Sequence, residues 1–168
     1  DGADTLFGGQ DDDTMIGGVD DDLLQGRGGS DMFDGGAGND IVNADAGNDM
    51  ILVGDGNDTV TGGGQSDTID GGLGDDLIRG GNGLDSMVGG EGNDRMLGGF
   101  GADLVEGGVG DDDLRGENGL DTLIGGTGND ALRGGNQSDV FVFADGFGQD
   151  TIVDFEEFDN NEKIDLSG

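Results

Sequence analysis

The chain has 168 residues, with 39 acidic side chains against six basic ones, a formal net charge of −33, no cysteine and no histidine. Such a surface repels nucleic acid, and it offers neither disulfides nor thiolate metal sites, neither a histidine-based triad nor an HExxH zinc motif. No apolar run approaches the length that spans a membrane.

Along the chain an aspartate recurs every ninth residue without a miss: Asp4, Asp13, Asp22, Asp31, Asp40, Asp49, Asp58, Asp67, Asp76, Asp85, Asp94, Asp103, Asp112, Asp121, Asp130 and Asp139. Two residues after each sits an apolar side chain: Leu6, Met15, Leu24, Phe33, Val42, Ile51, Val60, Ile69, Ile78, Met87, Met96, Val105, Leu114, Leu123, Leu132 and Phe141. Glycine fills most of the stretch before each aspartate, which predicts a turn. The triplet centred on the apolar residue predicts a very short strand with that side chain inward. One unit in full is Gly35-Gly36-Ala37-Gly38-Asn39-Asp40-Ile41-Val42-Asn43, numbered here as positions one to nine. A fixed period of this kind marks a repeat architecture. Glycine-rich acidic sequence is often disordered, but disorder leaves the constant phase between aspartates and apolar residues unexplained.

The unit GGxGxDxUx, with U a large apolar residue, resembles the nonapeptide of repeats-in-toxin (RTX) proteins across residues 1–142. The resemblance implies an all-β fold, a parallel, right-handed β-roll of two sheets with eighteen residues per coil. It implies calcium between stacked turns, with carboxylate oxygens from the sixteen position-six aspartates named above. Backbone carbonyls would come from positions two and four: Gly36, Gly38, Gly54, Gly56, Gly72, Gly74, Gly81, Gly83, Gly90, Gly92, Gly99, Gly101, Gly108, Gly110, Gly126 and Gly128. The chemistry agrees, because calcium takes six to eight hard oxygens and this unit offers carboxylates and carbonyls. Filling every gap between turns gives roughly 14 ions, whose charge of about +28 nearly cancels that of the chain.

Several repeats depart from the pattern. Asp11, Asp20, Gln65 and Gln137 replace glycine at position four, Arg27, Asp45 and Glu117 at position two, and Ala44 and Val53 at position one. Glutamine is poorly suited to the left-handed backbone, so the turns at Gln65 and Gln137 are expected to be weakened.

The period breaks after Val142. A degenerate unit, Gly146 to Val153, follows with its aspartate, Asp150, displaced by two residues. Phe141, Phe143, Phe147, Phe155 and Phe158 cluster here and predict a cap over the last coil, over residues 143–168. The stretch from Ile152-Val153-Asp154-Phe155 to Lys163-Ile164-Asp165-Leu166-Ser167 is similar to the ending that follows the roll in serralysin-type proteases and mannuronan epimerase R-modules.

Assigning alternate repeats to two sheets places Arg79, Arg95, Arg115 and Arg133 outward on one sheet in four adjacent coils, with no basic residue outward on the other. That stripe suits an anionic polysaccharide or a neighbouring domain, or local salt bridges to acids such as Asp113. The opposite sheet turns out Ile16, Met32, Met50, Leu52, Val88, Leu104, Ile124, Val140 and Val142, a candidate contact surface. Paired carboxylates such as Asp111-Asp112-Asp113 fit turn and metal roles better than catalysis, so no enzyme activity is expected. A threonine row for ice binding is missing at position three, where only Thr127 stands.

The chain opens inside a repeat at Asp1-Gly2-Ala3-Asp4, and reads as part of a larger protein. The resemblance implies type I export from a Gram-negative bacterium, with the chain secreted or at the cell surface. The expected function is calcium-dependent folding and stabilisation of that protein, and the alternative is an extracellular binding or adhesin module.

Overall fold

Strands of mostly six residues alternate with three-residue turns along nearly the whole chain. The computed structural model describes residues 2–143, 148–155 and 162–166. In order the strands are β1 (Thr5–Gly9), β2 (Thr14–Val19), β3 (Leu23–Gly28), β4 (Met32–Ala37), β5 (Ile41–Ala46) and β6 (Met50–Asp55). Next come β7 (Thr59–Gly64), β8 (Thr68–Leu73), β9 (Leu77–Asn82), β10 (Ser86–Glu91), β11 (Arg95–Phe100) and β12 (Leu104–Val109). The last are β13 (Asp113–Asn118), β14 (Thr122–Thr127), β15 (Ala131–Asn136), β16 (Val140–Val142), β17 (Thr151–Ile152) and β18 (Lys163–Asp165). No helix occurs among the described residues, so none crosses a membrane.

The odd-numbered strands form one nine-stranded sheet, and the even-numbered strands form another. All neighbours are parallel, and equivalent residues stand side by side: Ile51 beside Ile69, and Ile69 beside Met87. The chain is thus a parallel two-sheet β-solenoid of about 8 turns, roughly 18 residues each.

The strands are longer than the expected triplet. The pleat carries on from the apolar residue through position three of the next unit, so position one also points inward. In β6, Ile51 and Val53 are buried while Met50 and Leu52 face out. Where position one is glycine, only the position-eight side chain fills the interior, and Met15 to Phe141 are all buried. Leu6 is partly buried, having only one neighbouring coil. Each fully buried side chain contributes about 1.5–3 kcal/mol. One per nine residues is lean against a backbone ordering cost of about 1–2 kcal/mol per residue. The coil at 41–58 is richer, because Ala44 and Val53 add to Val42 and Ile51.

At the C-terminal end the displaced unit still joins the roll. β17 pairs with β15, Thr151 beside Ala131, and β18 pairs with β16, Lys163 beside Val140. Lys163 therefore puts one cation on the sheet expected to have none. Phe155 lies on Phe141 with ring centroids 6.4 Å apart, and Phe143 packs against the core. Phe147 and Phe158 lie outside the described residues.

Candidate metal centre

Each turn places its aspartate immediately before a strand, so the aspartates stack in two rows, one along each edge where the sheets meet. Both oxygens of the carboxylate have distinct surroundings. Oδ1 accepts the backbone N–H of the aspartate one coil earlier: Asp58 N–H reaches Asp76 Oδ1 at 2.8 Å, and Asp76 N–H reaches Asp94 Oδ1 at 2.9 Å. The same bond recurs along both edges from Asp4 and Asp13 onward. Oδ2 faces inward and accepts nothing. From Asp22 to Asp139, each of the 14 position-six aspartates has a buried Oδ2 without a hydrogen-bond partner. Asp4 is exposed and Asp13 partly buried, at the first coil.

A buried carboxylate oxygen without a partner is costly, and it marks a place for a cation. Burial pushes Asp58 and Asp85 up to about 6, against the amide hydrogen bond that pulls each down. It pushes Asp67, Asp76, Asp112 and Asp121 up to about 7, with like charges on neighbouring coils adding to the effect. Asp40, Asp49, Asp94, Asp103, Asp130 and Asp139 move the same way, burial being the largest cause.

The space around Oδ2 exists because position one is usually glycine. A Cβ on Gly98 would sit 2.6 Å from Asp103 Oδ2 and 2.8 Å from the Gly116 carbonyl oxygen. Carbonyls also line the gaps between coils. The Gly36 oxygen lies against Gly54 and the Gly38 oxygen against Gly56. Among the described residues, the position-four carbonyls accept no hydrogen bond. Gly38 and Gly56 adopt φ of 138° and 149°, so a side chain at either would be strained as well as colliding with the carbonyl beneath.

Gln65 and Gln137 stand at φ of 76° and 85°, inside the left-handed region they were expected to resist. The bonds that fix the coils on either side impose the turn on them. Asp20, Arg27, Asp45 and Glu117 take positive φ at the same two positions.

No three acidic side chains converge on one point among the described residues. A cation held here would draw its remaining oxygens from the main chain, which suits the hard, oxygen-rich shell of calcium. One aspartate of the stack lies outside the count in nines. Asp150 takes the position-six place despite its displacement, accepting the Asp130 N–H at 3.1 Å. The signal was present in the triplet Asp150-Thr151-Ile152, which keeps the aspartate two residues before an apolar side chain.

The basic residues divide into two kinds. Arg79, Arg115 and Arg133 share one outward row with Leu97, and Arg95 stands in the parallel row beside Asp113. Arg115 grips Asp113 at 2.7 Å, and Arg95 reaches the same carboxylate at 3.7 Å. Arg79 and Arg133 make no ion pair among the described residues. The apolar side chains of the other sheet are outward too, with Ile16, Met32, Met50, Leu52, Val88 and Leu104 exposed.

Stacked turns with rows of buried, half-satisfied carboxylates define a metal-binding solenoid. The model of the RTX calcium-binding nonapeptide repeat, four copies long, matches at residues 1–24, 16–51, 52–87, 70–105, 79–114, 88–123, 106–141 and 115–152. The chain belongs to this family and is a calcium-binding β-roll module. No curated protein matches it.

Proposed function

We propose that the chain is a calcium-driven folding module of a larger exported protein. The observation that carries this reading is the unpartnered, buried Oδ2 in 14 successive repeats. Without a cation the folded state concentrates charge that the open chain spreads through water. With calcium, each ion neutralises carboxylates that come together only in the roll, so binding energy becomes folding energy.

In this assignment the position-six aspartates from Asp4 to Asp139 hold calcium through Oδ2, with carbonyls at positions two and four completing the shell. Roughly 14 ions fill the gaps. Residues 1–142 form the regular roll, and 143–168 supply a degenerate repeat and the capping segment. Proteins with RTX repeats are typically secreted by Gram-negative bacteria, and a chain that stays open where calcium is scarce and folds where it is plentiful suits that route. Equilibrium dialysis against calcium, followed by Asp-to-Asn substitution along one edge, tests the assignment. Stepwise loss of ions supports it, and an unchanged count refutes it.

A second reading, an extracellular binding module, is favoured by Arg79 and Arg133, which have no acidic partner within the described fold. Their guanidinium forks would meet carboxylate or sulfate groups of an anionic polysaccharide or an adjoining domain. Replacing all four stripe arginines by serine should abolish retention on an alginate-like polymer. Unchanged retention removes the polysaccharide version.

A further inference from the structure

We infer that the degenerate unit after the regular repeats builds one more calcium site, between Gly128-Asn129-Asp130 and Gly148-Gln149-Asp150, which fastens the C-terminal segment to the roll. The inference rests on the calcium reading above and extends it to a residue outside the nine-residue count.

The match to a regular gap is made atom by atom. In regular coils an aspartate amide donates to Oδ1 of the aspartate 18 residues later, as Asp112 does to Asp130 at 2.9 Å. Here the Asp130 amide donates to Asp150 Oδ1 at 3.1 Å, across 20 residues. The residue after the aspartate repeats its bond as well, with Thr151 N–H on the Asp130 carbonyl at 2.7 Å. At position five, Gln149 N–H reaches Asn129 Oδ1 at 3.0 Å, as Asn129 N–H reaches Asp111 Oδ1 at 2.8 Å. Gly148 lies over the Gly128 carbonyl, as Gly56 lies over that of Gly38. The two extra residues fall before Gly148 in the sequence, and from Gly148 to Thr151 the bonds of a regular turn recur.

A second observation points to a ligand. Asp150 Oδ2 is buried and accepts no hydrogen bond, the same condition as Oδ2 of Asp130 across the gap. A surface turn carrying an ordinary aspartate would leave both oxygens to solvent. Asp154 closes the coil in a different way. Its two oxygens accept the Gly134 and Gly135 amides at 3.1 and 3.0 Å, donors that have no further full strand to meet.

This edge therefore has eight gaps and the other seven, and the full complement becomes about 15 ions rather than 14. Asp150→Asn is a stringent test, because each carboxylate oxygen has its own task. An amide that keeps the Asp130 bond through its oxygen must turn its NH2 toward the cation place.

Native mass spectrometry of the whole chain in calcium counts the ions directly, and hydrogen exchange reads residues 148–155. The expected result is one ion fewer in Asp150→Asn, with protection lost at Thr151 and Ile152 and kept in β11 and β13. An unchanged ion count overturns the site while leaving the calcium roll intact. A wild-type chain that binds no calcium overturns both. Should Asp150→Asn fail to fold, Asp150→Glu decides. Recovery of the full count with glutamate supports a carboxylate ligand, and failure there as well assigns the place to packing and overturns the site.

Discussion

Lowering the pH of the calcium-free chain from about 7.5 to 4.5 is expected to fold it. In the metal-free roll, burial holds Asp58 and Asp85 up to about 6 and Asp67, Asp76, Asp112 and Asp121 up to about 7, from an ordinary value of 3.8. A group raised in this way contributes stability that is complete below its unfolded value and lost as pH rises through its folded value. The window runs from about pH 4 to about pH 7. At about pH 5 these six are mostly protonated in the roll and mostly ionised in the open chain, so folding takes up roughly five protons. Each proton of difference changes stability by about 1.4 kcal/mol per pH unit, a slope of about 7 kcal/mol per unit for the set. Whole domains are stable by only about 5–15 kcal/mol, so neutral pH opens the metal-free chain and acid closes it. Far-UV circular dichroism in chelator follows the change. A chain that is β-rich at neutral pH and opens on acidification would refute the reasoning. With calcium present the sign reverses, because the cation favours ionised carboxylates and acid weakens its binding.

Three substitutions probe the turn and the core separately. Asp76→Asn should raise the calcium concentration at mid-transition and strand a buried NH2, costing about 1–3 kcal/mol in urea unfolding at saturating calcium. The same change at exposed Asp111 should leave the calcium midpoint where it is. Gly98→Ala drives a Cβ to 2.6 Å from Asp103 Oδ2 and should destabilise by about 1–3 kcal/mol. Gly64→Ala, whose nearest contact would be 3.9 Å away, should be tolerated, and equal melting temperatures for the two would contradict the assigned space. Leu114→Ala removes a fully buried side chain and should cost about 2–5 kcal/mol. Leu73→Ala, at a side chain 46% exposed, should change stability by roughly 0.5 kcal/mol or less, which the same urea series measures.

The period carried most of the fold because one decision repeats in every unit. Once the residue two after Asp40 points inward, Val42, Val60 and Ile78 follow in register. Other features depend on coils touching, which a single unit does not contain. The length of β6 follows from Val53 continuing the pleat behind Ile51, although the sequence showed Val53 only as a missing glycine. The left-handed turn at Gln65 comes from its neighbours in the stack, against its own preference. Asp150 stands two residues out of phase in the sequence, and its hydrogen bond to the previous coil restores the register. The split of each carboxylate into a bonded Oδ1 and a bare Oδ2 needed the three-dimensional stack, because the donor lies one coil away.

The most direct test of calcium-driven folding is a calcium titration of the chelated chain at neutral pH, followed by far-UV circular dichroism, with magnesium as control. The predicted result is a cooperative coil-to-β transition that calcium produces and magnesium does not. A β signal already present in chelator, and unmoved by calcium, would contradict the account.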